Sequence, residues 1–183
     1  MFGNKLKEME DKPLSNKDIS NLLHGKVNIV VYPDVHNYKT IDQLMGIYGA
    51  CALLYESKPS YGHWCAVIKI NNRDCEFFDP YGGNIDGIPD EVLDHINPSF
   101  RKETYQDHTY LAKLMYDSHY DLSYNQYKFQ EHKSGIRTCG RHVVSRIMFK
   151  QLSLDDYKRY LDKLSKDLNL NYDGVVTYLT RSI

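Results

Sequence analysis

A chain of 183 residues with 42% hydrophobic and 26% charged side chains has the size and balance of a single domain with its own core. A formal net charge of −1 excludes a whole-chain field that would select nucleic acid or an acidic membrane. The longest apolar run, around Tyr48 to Tyr55, is far too short to span a bilayer, and the charged start of the chain (Lys5, Lys7, Glu8, Glu10, Asp11, Lys12) has no apolar segment of the secretory kind.

Residues 1–13 read as a solvated, flexible arm on a single domain spanning 1–183. Ser15 or Asn16 can cap a short helix carrying Ile19, Leu22 and Leu23, which Gly25 ends. Val27 to Tyr32 reads as a strand stopped by Pro33, and Thr40 can cap a helical turn over Ile41, Leu44 and Met45. Three strands follow at Tyr48–Tyr55, His63–Ile70 and Cys75–Phe78, the last two joined by the polar hairpin stretch Asn71-Asn72-Arg73-Asp74. Along the middle strand Trp64, Ala66, Ile68 and Ile70 share one face, and His63, Cys65, Val67 and Lys69 the other. Asp79-Pro80-Tyr81-Gly82-Gly83 then breaks the sheet.

Helices are expected at Pro89–Ile96 and around Thr109–Tyr116, and a strand over Leu122–Gln130. Val143 and Ile147 follow Cys139 at four-residue steps, as Val144 and Met148 follow Gly140, which predicts a buried helix beginning at the cysteine. Leu154, Tyr157, Leu161, Leu164 and Leu168 predict a further amphipathic helix. The fold class is α+β: a small, mainly antiparallel but mixed sheet packed against helices, one of them central.

Cys51, Cys65, Cys75 and Cys139 form no CxxC pair and no dense framework, so they read as reduced thiols. Cys139 stands apart because it opens a helix. There its sulfur meets unpaired N–H groups and the positive end of the helix dipole, which favour a thiolate. Five Lys/Arg and no Asp/Glu between His132 and Lys150 push the same way. A nucleophilic thiol needs a base, and the base needs an orienting acceptor. His63 opens an apolar strand beside Gly62 and Trp64, and Asp79 ends the next strand, though simple register leaves Asp79 a few residues from directly opposite His63. Gly140 removes a side chain where a substrate backbone would approach. A zinc site from His63, Cys65 and Cys75 has no fourth ligand at suitable spacing, and Asp79, Asp86, Asp90 and Glu91 do not match a calcium loop. No metal or cofactor is expected.

Gly62-His63-Trp64, Phe77-Phe78-Asp79-Pro80-Tyr81-Gly82, a Gln, and Thr138-Cys139-Gly140-Arg141, in that order, resemble the adenovirus-type and ubiquitin-like-protein protease superfamily of cysteine proteases. The likeness runs over about residues 45 to 150 and is nearest to maturation proteases of virophages, Maverick/Polinton-type elements and large DNA viruses. It implies an adenain-like fold and a His63–Asp79–Cys139 triad, with Gln130 donating to the oxyanion beside the Cys139 N–H; Gln126 is a rival for that role. It also implies an endopeptidase acting on capsid or core precursor proteins in the host cytoplasm and the virion, with no membrane partner. Trp64 would roof a narrow slot above Gly140 that selects Gly or another small residue before the scissile bond; alternatively Trp64 packs with Ala66 and Ile68. Trp64 is the only Trp, whereas the SUMO-deconjugating branch uses a second one. An isopeptidase acting on ubiquitin-like modifiers and a dead protease fold kept for docking are the rival functions. An activating peptide or nucleic acid, the latter at the basic run 133–150, is a secondary partner expectation.

Overall fold

The structure is a computed structural model that describes residues 2–83 and 97–182. Its centre is a five-stranded sheet in sequence order: β1 (Asn28–Val31), β2 (Ala50–Lys58), β3 (Tyr61–Lys69), β4 (Asp74–Phe78) and β5 (Asp121–Tyr124). β3 runs antiparallel to both β2 and β4, while β1 lies parallel to β2 and β5 parallel to β4, so the sheet is mixed. The α+β expectation is met.

Both sheet faces are covered, which is why β2 and β3 are apolar almost without interruption. Trp64, Ala66 and Ile68 pack with Ile19, Val143, Val144, Ile147, Tyr157 and Leu161 on one face. Cys65 and Val67 pack on the other with Leu44, Met45, Phe77, Leu111 and Met115. The alternation read from the sequence therefore assigns each residue to its observed side.

Local signals explain most of the elements. Ser15 and Asp18 form a capping box that starts α2 (Asn16–Leu22), and the Thr40 hydroxyl accepts from Gln43 N to start α3 (Ile41–Met45). At the β3–β4 hairpin, Asn71 Oδ1 accepts from Arg73 N and Asp74 N at 2.7 and 2.9 Å. α4 (Pro98–Glu103) has Pro at its first position, and α5 (Tyr110–Tyr116) buries Leu111 and Met115. α6 (Cys139–Met148) is the central helix, buried on every side from Cys139 to Ile147. α7 (Leu154–Leu168) covers it with Tyr157 and Leu161, and α8 (Tyr172–Leu179) closes the same layer.

Three expectations need correction. The stretch expected to be a solvated arm contains α1 (Phe2–Glu10), which packs beside α8 and buries Leu6. The strand expected over Leu122–Gln130 ends at Tyr124; Asn125 leaves the ladder to bond the backbone of Asp79, and Phe129 turns into the core against Phe78 and Tyr157. The C-terminal helix α8, absent from the sequence reading, is held by buried Val175 and Val176. The helix expected at Pro89–Ile96 lies outside the described residues.

An ion pair ties the central helix to the sheet. Arg146 grips Glu76 of β4 with two bonds, Nε–Oε1 at 2.8 Å and Nη2–Oε2 at 2.7 Å, both side chains being buried. Arg141 is likewise buried, its Nη1 donating to Thr180 Oγ1 at 2.9 Å. Two of the five cations of the basic run thus face inward rather than toward any surface partner.

Candidate active site

The strand register solves the spacing of His63 and Asp79. β3 and β4 pair Ala66 with Phe78, so one further step sets Asp79 opposite Cys65. Cys65 and His63 share a face, and a diagonal neighbour on one face lies about 7–8 Å away, within reach of two side chains pointing at each other. His63 Nε2 meets Asp79 Oδ1 at 2.8 Å, with both residues buried. No bulge or non-adjacent pairing between β3 and β4 is needed.

Gly62 makes this geometry possible. A Cβ there would stand 1.8 Å from the Tyr55 carbonyl oxygen, so only glycine lets β2 and β3 close where β2 bulges between Glu56 and Lys58. Beyond β4, Gly82 N donates to Asp79 O at 2.8 Å in a tight turn with Pro80 at its second position and Gly82, φ 81°, at its fourth. Asn125, fully buried, clamps this turn: its Oδ1 accepts from Asp79 N at 2.8 Å and its Nδ2 donates to Asp79 O at 2.6 Å. Tyr81 N donates to Asp79 Oδ1 at 2.9 Å, and the Tyr81 ring stacks on His63 with centroids 4.9 Å apart.

Cys139 opens α6, and it borders the same cleft as His63, near enough to help raise the His63 pKa. Burial by itself pushes the His63 pKa down. The Asp79 carboxylate, together with its hydrogen bond to the ring and the nearby Cys139, outweighs it and holds His63 well above the ordinary 6.5. The other cysteines are free and buried; burial pushes Cys65 and Cys75 up to about 12 and Cys51 upward as well. They are protonated, inert thiols at neutral pH.

Gln130 is buried beside this pair. Its backbone N–H and that of Phe129 both donate to Pro80 O, at 3.0 and 2.9 Å, which fastens the Gln130 segment to the turn carrying Asp79. Its side-chain Oε1 has no partner among the described residues. An amide whose two ends exchange by rotation, and which internal bonding leaves uncommitted, suits a donor reserved for a ligand. Gln126 is exposed and lies outside the cleft. The cleft itself holds about 450 Å³ and is bordered by His63, Tyr81, Gln130, Ile136, Arg137 and Cys139.

Trp64 and Gly140 are not where the slot reading needs them. Trp64 is buried in the core with Ala66 and Ile68, its indole N–H donating to Leu14 O at 3.1 Å, and it does not border the cleft. A Cβ on Gly140 would meet Leu14 Cβ at 3.0 Å and Trp64 Cδ1 at 3.2 Å. The glycine lets the helix close on the core, and the space beside it is filled by this protein rather than left for a substrate. Strand alternation is the reason: Trp64 faces away from His63.

Of the metal donors considered, His63 and Cys65 converge with Asp79, their ligand atoms within 4.8 Å of one another, while Cys75 lies against Met45. Three donors fall short of the four of a structural zinc site, and the Cys65 thiol is held protonated. Asp86, Asp90 and Glu91 lie outside the described residues. Tyr81 and Asn125 escaped the sequence reading. Tyr81 is visible in the sequence as a turn residue and as part of the Phe77–Gly82 motif, without its stacking role, and nothing around Asn125 distinguishes it from any polar loop residue.

No protein-family model matches the chain. The uncharacterized protein V9 of Sputnik virophage is 41% identical over 175 residues, which cover 96% of this chain and 98% of the virophage protein. Among solved structures, the crystal structure of the ASFV pS273R protease is similar at a TM-score of 0.45 and 13% identity, over 94% of this chain and 68% of that one. No helix among the described residues is long and apolar enough to cross a membrane.

Proposed function

The chain belongs to the family of Sputnik virophage protein V9, and we propose that it is a cysteine endopeptidase that processes capsid or core precursor proteins during virion maturation. The observation that carries this reading is the convergence of the buried Asp79–His63 pair and Cys139 on one open cleft, beside the uncommitted amide of Gln130. The motifs in the sequence and the virophage relative support the viral setting.

In this mechanism the Cys139 thiolate, paired with protonated His63, attacks the scissile carbonyl carbon. Gln130 and the Cys139 N–H receive the negative charge that develops on the carbonyl oxygen, an effect of about 3–4 kcal/mol for one such donor. The tetrahedral intermediate collapses as His63 gives its proton to the departing amine, leaving a thioester. Neutral His63 then takes a proton from water, whose oxygen attacks the thioester; collapse releases the new carboxyl terminus and restores the Cys139 thiolate beside protonated His63. Asp79 orients the ring and favours its charged form throughout.

Co-expression with the capsid and core proteins of the same genome, followed by mass-spectrometric mapping of new termini, tests this. Discrete new termini that vanish with Cys139→Ala are expected. Unchanged cleavage by Cys139→Ala, or no cleavage of any virion protein, would overturn the reading.

A further inference from the structure

Outside the His63 pair, one buried carboxylate joins the segments that carry Cys139 and Gln130. Asp173 is the second residue of α8 and is fully buried. Its Oδ2 accepts the N–H of Glu131, the residue after Gln130, at 3.0 Å. Its Oδ1 accepts the hydroxyl of Thr138, the residue before Cys139, and His142 Nε2 at 3.0 Å, one turn into α6. A threonine at a helix start ordinarily caps its own helix. Thr138 makes no such bond and gives its hydroxyl to Asp173 instead. Burial raises the Asp173 pKa, but the hydrogen bonds from His142, Thr138 and Glu131 outweigh it and keep the group below its ordinary 3.8, so the anchor is an anion.

A carboxylate placed only for stability would serve any neighbouring donors. Two of these three donors, Glu131 and Thr138, adjoin the two residues whose separation defines an oxyanion hole, and the third, His142, lies one turn along the helix that Cys139 opens. We infer that Asp173 is a positioning residue that sets the distance between the Gln130 amide and the Cys139 sulfur, an assignment that rests on the peptidase reading above. The Gln130 segment is gripped from one side by Pro80 O and from the other by Asp173 through Glu131. Releasing the second grip lets the amide drift, and a misplacement of about 1 Å costs about a hundredfold in rate.

The test compares wild type with Asp173→Asn, which replaces one of the two oxygens accepting from Glu131 and Thr138 by an NH₂ group that can only donate. Three readouts separate positioning from folding. The first is kcat and KM on the fastest-cleaved member of a quenched-peptide library varied at the residue before the scissile bond. The second is the rate of Cys139 alkylation by iodoacetamide, which needs the thiolate and His63 but forms no oxyanion. The third is the affinity for a tetrapeptide aldehyde of that same sequence, whose hemithioacetal mimics the tetrahedral intermediate.

Expected for Asp173→Asn are a fall in kcat of about a hundredfold, a parallel loss of aldehyde affinity, and KM and alkylation within about twofold of wild type. In a Gln130→Ala background the same substitution should cost no more than about twofold, because its route is already gone. Unchanged kcat, alkylation falling in step with kcat, or full multiplication with Gln130→Ala would each overturn the assignment. Should Asp173→Asn fail to fold, Thr138→Val removes one arm alone. It should give the same pattern at about a tenfold loss in kcat, and an unchanged kcat would overturn the assignment. A wild type that hydrolyses no library member and shows no selective Cys139 labelling sinks the peptidase reading and this assignment together; an active wild type with any overturning pattern sinks the assignment alone.

Discussion

Arg146 and Glu76 connect the halves of the candidate site: Glu76 lies three residues before Asp79 on β4, and Arg146 two turns after Cys139 on α6. Replacing Arg146 by Met keeps a long apolar stem in the core but strands the Glu76 carboxylate, which is 3% exposed. Removing one partner of a buried pair costs about 3–5 kcal/mol. The carbonyls of Phe149 and Leu152, which accept from Arg146 at 3.0 and 3.2 Å, lose their donors as well. Those bonds add about 1 kcal/mol each, giving about 5–7 kcal/mol before relaxation. Relaxation and water reaching the stranded carboxylate reduce this to about 4 kcal/mol. With a urea m-value of about 2 kcal/mol/M, the denaturation midpoint moves down by about 2 M. The double variant Glu76→Leu/Arg146→Met has no stranded charge and should recover to within about 2 kcal/mol of wild type. A single variant within about 1 kcal/mol of wild type, or a double variant as unstable as the sum of the two singles, would refute the reasoning.

Asp79→Asn removes the carboxylate that raises the His63 pKa, so the alkaline fall of kcat/KM, where imidazolium is lost, should move to lower pH by about one unit or more, read from a pH–rate profile. The stability linked to His63 follows the same sign: a raised folded pKa gives stability that is complete below the ordinary 6.5 and is lost as pH rises through the folded value. Asp79→Asn should flatten that alkaline loss in urea titrations. Gln130→Ala should cut kcat by about a hundredfold or more with KM little changed, and the exposed Gln126→Ala should leave both within about twofold; the reverse order in steady-state assays would reassign the oxyanion donor. Gly62→Ala forces a Cβ to within 1.8 Å of a carbonyl oxygen. It should cost more than about 3 kcal/mol by thermal denaturation, and retention of the wild-type melting temperature would mean that β2 and β3 do not close there as described.

The readable and unreadable parts of this protein divide by the distance over which a residue's role is decided. Ser15, Thr40 and the Asn71–Asp74 hairpin act within four residues of themselves, and β3's faces follow from pleating alone, so these were legible. The helix at Cys139 was legible because Val143, Val144 and Ile147 repeat at helical spacing and all face the core. Leu6 escaped because alternating charges surround it, and its burial depends on α8, which lies at the far end of the chain. Val175, Val176 and Thr177 have strand propensity, and Gly174 disfavours a helix, yet burial against α6 decides for α8.

The site repeats this division. The residues proposed to carry the chemistry were legible, because a helix-start Cys, a strand-edge His and a turn Asp each have local signatures. How they meet was not. Asp79 reaches His63 along a diagonal fixed by the β3–β4 register, and Asn125 and Asp173 lock the arrangement from 46 residues beyond Asp79 and from 35 residues beyond Thr138. The period-2 run Tyr124, Gln126, Lys128, Gln130 gave the opposite impression, of one continuous strand. The backbone abandons that ladder because Asp79 and Pro80 offer the departing segment better partners: the Asn125 side chain satisfies both backbone groups of Asp79, and Pro80 O receives Phe129 and Gln130. The departure removes hydrogen bonds from the sheet and returns them at the place where Gln130 must stand beside Cys139. The sheet edge is therefore given up where the cleft needs a loop, and the same bonds that end β5 hold the oxyanion candidate in place.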